Sequence, residues 1–266
     1  TRSRMNSGCF DRPRGSGAIS LLVLSLSTFW GCPSESEESA PLPEEHESRI
    51  VFESLPTPFD VQAAAGVSLV DYDGDGWPDL TFAEIERGIL LARGGANGFQ
   101  PDAQRQDGLP DTSGARAVVW VDIDDDGDLD LFVTRRAWGG EKLTPILLRQ
   151  DDGKLVDVTE QAGLDVAGYW EGASFGDLDD DGALDLVLSG AQATFEGRWG
   201  YRGTPHRIFR NVSGERFEPM EDSVGCIGPP DGEGWGTLVA DFDGNGRVDY
   251  LLGNDAVPTT VCLGGE

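Results

Sequence analysis

Histidine is almost missing from this chain: His46 and His206 are the only two in 266 residues. The commonest general acid or base therefore has few places to act, and an enzyme is not the expected class. Basic residues are also scarce, with 20 Lys and Arg against 48 Asp and Glu and a formal charge of -28. Such a surface repels phosphate backbones, which excludes nucleic acid as an expected partner. Long apolar runs are absent too. The longest, Ala18 to Trp30, has 13 residues, short of the roughly 20 that span a bilayer. What the chain does have is a core-forming share, 38% hydrophobic with seven Trp and twelve Phe, so its charge does not imply disorder. Its 37 glycines are about twice the usual share, which implies many tight turns and little long helix.

The first residues have the layout of an address. Arg2, Arg4, Arg12 and Arg14 precede the apolar run AISLLVLSLSTFW, which ends at Gly31-Cys32. Residues 1–31 are expected to be a signal peptide, so the chain is expected to be exported. The sequence opens on Thr1, and Met5 is an alternative start. Cys32 resembles the lipid-modified cysteine of bacterial lipoproteins, because it follows a small residue at the end of the apolar run. Phe29 and Trp30 stand where that family usually has Leu and a small residue. Membrane contact is expected only through this anchor, placing the protein on the outer membrane or cell surface, or otherwise in the periplasm or secreted. Residues 32–49, rich in Glu, Ser and Pro, read as a solvated acidic tether. Cys226 and Cys262 are then the cysteines left for the folded part. Outside the cytoplasm they are candidates for a disulfide.

A repeat organises the remainder, residues 50–266. Four segments align: DYDGDGWPDL from Asp71, DIDDDGDLDL from Asp122, DLDDDGALDL from Asp177 and DFDGNGRVDY from Asp241. Their starts are spaced by 51, 55 and 64 residues, and each is flanked by short apolar runs. Strand, acidic turn, strand is the reading, and an all-β fold follows. In the pattern D-x-D-x-[DN]-G-x-x-D, positions 1, 3 and 5 can aim side-chain oxygens at one centre. Position 6 is the glycine of a sharp turn. Position 7 can offer a backbone carbonyl whatever its side chain, and position 9 returns a carboxylate. Hard oxygen donors in this number suit Ca2+ better than Mg2+. The candidate metal residues are Asp71, Asp73, Asp75, Trp77 and Asp79; Asp122, Asp124, Asp126, Asp128 and Asp130; Asp177, Asp179, Asp181, Ala183 and Asp185; and Asp241, Asp243, Asn245, Arg247 and Asp249. Three to four ions are expected, with the Asn245 loop the weakest. Position 12 is Phe82, Val133, Leu188 and Leu252, which excludes EF-hands, because these need Glu there.

These loops resemble those of the FG-GAP/VCBS family of extracellular β-propellers, to which integrin α-subunit heads belong. Leu155 to Leu164 (LVDVTEQAGL), echoed at Phe59 to Val67 (FDVQAAAGV), is similar to the F-x-D-V-T-x-x-A-G-L signature of the CRTAC/ASPIC-UnbV-like VCBS proteins. Ile146 to Lys154 and Ile208 to Phe217 are similar to that family's L-x-R-N-x-G-x-G-x-F segment. The resemblance implies radial blades with the strand before each loop near the axis and LVDVTEQAGL near the rim. It also implies calcium in the four loops. Phe59 to Val67 would then be an outer strand of the last blade. The family usually builds about seven blades, whereas residues 50–266 hold about four. Truncation of a larger propeller is the expectation, and a compact four-bladed ring the alternative.

Other motifs carry less. Gly172 to Gly176 matches the hydrolase elbow G-x-S-x-G, but it leads into an acidic turn rather than a helix, so Ser174 reads as a strand residue. His206 reads as a loop residue, and Gly232, Gly234 and Gly236 as close-packing positions. Trp120 reads as core. The insert Ala191 to Pro205, with Arg198, Trp199, Tyr201 and Arg202, is the candidate ligand loop. The expected function is an exported calcium-binding propeller that serves as a scaffold for a protein or glycan ligand. The alternative is the propeller portion of a larger exported enzyme, for instance a polysaccharide-acting one.

Overall fold

Each acidic turn joins the two innermost strands of one antiparallel sheet. The computed structural model describes residues 57–137, 141–195, 198–220, 224–228, 230, 234–255 and 257–265, within the unit Glu53–Glu266. The signal segment, Cys32, the tether and His46 lie outside the described residues, as do the side chains of 193–202. Blade 1 is β1 (Ala64–Val70), β2 (Asp79–Glu84), β3 (Gly88–Arg93) and β4 (Gln100–Pro101), followed by the single-turn α1 (Ala103–Gln106). Blade 2 is β5 (Ala115–Val121), β6 (Asp130–Arg135), β7 (Ile146–Asp151) and β8 (Lys154–Asp157). Blade 3 begins with β9 (Trp170–Gly176) and β10 (Asp185–Gly190). A separate hairpin, β11 (Gln192–Phe195) with β12 (Arg198–Gly203), then precedes β13 (Arg207–Val212) and β14 (Arg216–Pro219). Blade 4 is β15 (Gly234–Ala240), β16 (Asp249–Asn254) and β17 (Thr260–Cys262) among the described residues.

Alternation along each strand decides which neighbour its side chains meet. In β5, Val118 and Trp120 enter the core shared with blade 1, together with Tyr72, Leu91 and Leu148. Val119 and Val121 of the same strand enter the core shared with blade 3, with Phe132, Leu188 and Phe209. Trp120 stacks on Tyr72 at 4.7 Å between ring centroids and donates its indole N–H to Thr81 Oγ1 at 2.9 Å. A third core, between blades 3 and 4, holds Val187, Ile208, Met220, Tyr250 and Leu252. Here Cys226 and Cys262 are joined by a disulfide across 36 residues of sequence.

The register repeats from blade to blade: Leu80 pairs with Ala92, Leu131 with Leu148, Leu186 with Phe209 and Tyr250 with Cys262. LVDVTEQAGL begins in β8, the outermost strand of blade 2. Its echo at Phe59 to Val67 takes another course. Val67 pairs with Phe82 inside β1, and the Phe59 ring meets Phe82 edge-on at 6.5 Å. The end of the segment, Ala64 to Val67, therefore lies in the inner strand of its own blade, because the loop at Asp71 follows closely, and 59–63 form no strand; the segment is not an outer strand of blade 4. The inner strands touch in the order β1, β5, β9, β15 among the described residues.

Candidate metal centre

All four turns have the same hydrogen-bond skeleton. The position-9 aspartates, Asp79, Asp130, Asp185 and Asp249, are fully buried at the start of the second strand. Oδ2 of each accepts the N–H of position 2: Tyr72 at 2.9 Å, Ile123 at 3.0 Å, Leu178 at 3.0 Å and Phe242 at 2.6 Å. Oδ1 accepts an N–H from the third strand or from one or two residues beyond it: Gly94 at 2.8 Å, Gln150 at 2.8 Å, Asn211 at 2.9 Å and Gly264 at 2.6 Å. One carboxylate thus ties three segments of each blade. The position-1 aspartate closes the turn from the other side, Asp71 accepting from Asp75 N and Gly76 N at 3.1 and 2.8 Å, with equivalents at Asp122, Asp177 and Asp241.

This skeleton brings positions 1, 3 and 9 together. In each of the sets Asp71, Asp73, Asp79; Asp122, Asp124, Asp130; Asp177, Asp179, Asp185; and Asp241, Asp243, Asp249, one carboxylate oxygen per residue lies within 4.8 Å of the others. The position-5 side chains of Asp75, Asp126, Asp181 and Asn245 lie outside these groups, and each accepts the N–H of position 7, at Trp77, Asp128, Ala183 and Arg247. Position 4, which the sequence pattern leaves free, is constrained. Gly74 and Gly244 have φ of 71° and 77°, and Asp125 and Asp180 have 58° and 60°. That left-handed backbone favours Gly and tolerates Asp, the two residue types found there.

Carboxylate charge is concentrated in these turns. Burial pushes Asp130 and Asp185 up to about 6, against the backbone N–H groups that favour their ionised forms. Burial also raises Asp79 and Asp124 above the ordinary carboxylate range. Oδ1 of Asp124 and Oδ1 of Asp179 are buried with no hydrogen-bond partner among the described residues. Carboxylates held together by backbone, with oxygens left over, fit a hard divalent cation.

A cationic feature of the third strand escapes the sequence reading. Arg93, Arg149 and Arg210 each directly precede the residue that donates to position 9, and Leu263 takes that place in blade 4. Arg93 lies 3.7 Å from Asp73, Arg210 pairs with Asp179, and Arg149 acts on Asp124 while bonding Asp151 at 3.0 Å. The next residue clamps the preceding blade. Gln150 Nε2 donates to Tyr72 O at 3.0 Å, and Asn211 Nδ2 to Ile123 O at 2.9 Å. The strings LLRQ and IFRN carried this signal, as the same Arg-amide pair one blade apart.

The remaining candidates are placed plainly. Ser174 sits in β9 and shares a 2.7 Å hydrogen bond with Thr237. His206 is buried; its Nδ1 accepts from Gly190 N at 3.3 Å, its Nε2 meets Asn254 Oδ1 at 3.0 Å, and burial lowers its pKa. A Cβ on Gly234 would meet Ser189 Oγ at 2.1 Å, so this position needs glycine. Tyr169 and Trp170 are core residues. Arg198, Trp199, Tyr201 and Arg202 fall on β12, whose side chains are outside the described set.

Blades built from such loops, arranged about the inner strands, make a four-bladed β-propeller arrangement. Residues 71–133 match the FG-GAP-like repeat family model. Over 161 residues the chain is 25% identical to cartilage acidic protein 1 of Homo sapiens, covering 55% of this chain and 24% of that protein. The Mus musculus protein of the same name is 25% identical over 150 residues, covering 53% and 23%. The chain spans about a quarter of the length of these curated relatives. No helix among the described residues is long and apolar enough to cross a membrane.

Proposed function

We propose that this protein is an exported, calcium-stabilised propeller that acts as a binding scaffold for a protein or glycan outside the cytoplasm, and not as an enzyme. The carrying observation is the set of four carboxylate groups in which backbone donors fix positions 1 and 9. Ca2+ would be held by the aspartates at positions 1, 3 and 9. Its positive charge would offset the burial that raises Asp130 and Asp185 to about 6. Its role is structural, because each position-9 carboxylate also ties the strands of its blade. The signal-peptide layout of residues 1–31 and the disulfide support export. A lipid anchor at Cys32 is the proposed membrane attachment, and the insert on β11 and β12 the proposed ligand loop.

The test is calorimetric titration and thermal unfolding of the full chain with Ca2+, with Mg2+ as control. Three or four sites and a calcium-specific rise in melting temperature are expected, since a ligand that binds only the folded state stabilises it. Melting indifferent to millimolar Ca2+ would remove the reading.

A further inference from the structure

The innermost strand of every blade breaks its ladder at one register. In β1 one extra residue, Ala65, stands between the pairs Ala64–Glu84 and Gly66–Ala83. β9 carries Glu171 in the same way between Trp170 and Gly172, and β15 carries Trp235 between Gly234 and Gly236. In β5 the bulge spans Arg116 and Ala117, between Ala115 and Val118. Ala65, Arg116, Glu171 and Trp235 each stand six residues before position 1 of the acidic turn that follows. A bulge re-aims a side chain out of the regular alternation of a strand. Here all four of these residues line a single pocket of about 450 Å³, within the roughly 300–1,000 Å³ of small-ligand sites.

The strands can crowd at this level because the next residue in each is small: Gly66, Ala117, Gly172 and Gly236. A Cβ on Gly66 would meet Arg116 O at 2.5 Å, and one on Gly172 would meet Gly236 Cα at 2.9 Å. The pocket lies at the far end of the inner strands from the acidic turns, roughly 20 Å away at about 3.3 Å per residue. The insert Ala191 to Pro205 leaves β10 at this same end. Gly190 pairs with Trp170, the residue before Glu171, and Thr204 Oγ1 accepts the N–H of Tyr169 at 2.9 Å.

The side chains placed on this repeated backbone differ from blade to blade, and their chemistry defines a ligand. Arg136 Nη1 pairs with Glu171 Oε1, Arg116 Nε lies 3.9 Å from Glu171 Oε2, and none of the three side chains is more than 9% exposed. Two guanidiniums thus meet at one carboxylate. Burial holds Arg116 below its usual pKa, with Glu171 opposing and Arg136 adding to the effect. A guanidinium has five N–H donors, so Arg116 can hold Glu171 and a second carboxylate together, and water screens such a buried charge little. Trp235 brings an indole that is 52% exposed. Thr237, which shares a hydrogen bond with Ser174, brings a hydroxyl. A flat ring with an apolar face, a hydroxyl and a cation that takes carboxylate side by side suit a sugar that itself bears a carboxylate.

We infer that this pocket binds an acidic saccharide, its carboxylate at Arg116 and a sugar ring against Trp235. The inference rests on the reading of the chain as a binding scaffold, and it names the class of ligand and its seat.

The test is calorimetric titration of the full 266-residue chain, in millimolar Ca2+ throughout, with an aldobiouronic acid, a disaccharide carrying one carboxylate. Cellobiose is the neutral control and triglutamate the acidic control without a sugar. Binding is expected for the aldobiouronic acid alone. Trp235→Ala and Arg116→Gln should each weaken it about tenfold or more. Trp235 is half exposed, so its variant should keep the circular dichroism and melting temperature of the parent, and it carries the test should Arg116→Gln misfold. Absence of binding overturns the inference. So does equal binding of cellobiose or triglutamate, or binding that either folded variant leaves unchanged. Melting with and without Ca2+ tells the two readings apart, because the pocket is remote from the turns. A calcium-specific rise in melting temperature with no saccharide bound removes the pocket alone. Saccharide binding by a chain whose melting ignores Ca2+ removes the calcium reading and leaves the pocket standing.

Discussion

The middle interface and the last one solve the same packing problem with different means. Between blades 2 and 3, Phe132, Leu164, Trp170, Leu186, Leu188 and Phe209 are buried to 1% exposure or less, with no covalent link. Between blades 3 and 4 the core is thinner, and the Cys226–Cys262 disulfide sits within it. Blade 4 also lacks the clamp that blades 2 and 3 use. Where Gln150 and Asn211 reach the preceding loop, it has Gly264, which has no side chain to reach with. Where the buried apolar core is thinner and this clamp is missing, a cross-link that restricts the unfolded chain supplies the difference.

Substitutions at the two interfaces break this contrast in a graded way. Phe132→Ala removes a fully buried ring from the middle core and is expected to lower the unfolding free energy by about 3–5 kcal/mol. Urea denaturation measures it, and a loss under about 1 kcal/mol would mean that the middle core is not the main apolar support. Cys262→Ser opens a 36-residue cross-link and should cost about 3–4 kcal/mol on the chain-entropy account. A reducing agent should lower the stability of the parent chain by a similar amount and leave that of Cys262→Ser unchanged; equal sensitivity of both would remove the staple from the account.

Asn211→Ala takes away the bond to Ile123 O and leaves that carbonyl buried without it. The expected loss is about 1–3 kcal/mol. Asn211→Asp, which has no N–H to donate, should recover little of it.

The smallest effect concerns pH. Burial raises Asp130 and Asp185 to about 6 in the folded chain, above the ordinary carboxylate value near 3.9 in the unfolded chain. Their contribution is complete below the unfolded value and is lost as pH rises through about 6. In chelator the protein should therefore melt higher at pH 5 than at pH 7.5. In millimolar Ca2+ the order should reverse, because the ion requires ionised carboxylates. Melting curves at both values, with and without Ca2+, check the sign.

Much of this was legible in the chain itself. The D-x-D-x-[DN]-G-x-x-D strings fixed where the turns fall, because so many carboxylates beside a glycine suit few other local structures. Alternation around them gave the strands, and Trp120 and Ser174 took the strand positions expected of them. Less was legible where distant segments meet. The role of Phe59 to Val67 was misplaced, because a short sequence echo carries no information about which strand pairs with which. The partition of labour within the loop was also hidden. Positions 1 and 9 pin backbone, position 5 caps the turn, and the position-4 conformation emerges only from the backbone angles.

By itself, then, the sequence determined the local chemistry: acidic turns of one pattern, short strands on either side, and a repeat that must stack to bury its apolar faces. Those properties depend on residues within a dozen positions of one another, so spacing and composition are enough to set them. Only the tertiary structure decided which faces found a partner. The Arg93, Arg149 and Arg210 series, the Gln150 and Asn211 clamps and the pairing of Cys226 with Cys262 all rest on contacts between elements far apart in the chain. Such contacts depend on how blades pack in three dimensions, which no local pattern encodes.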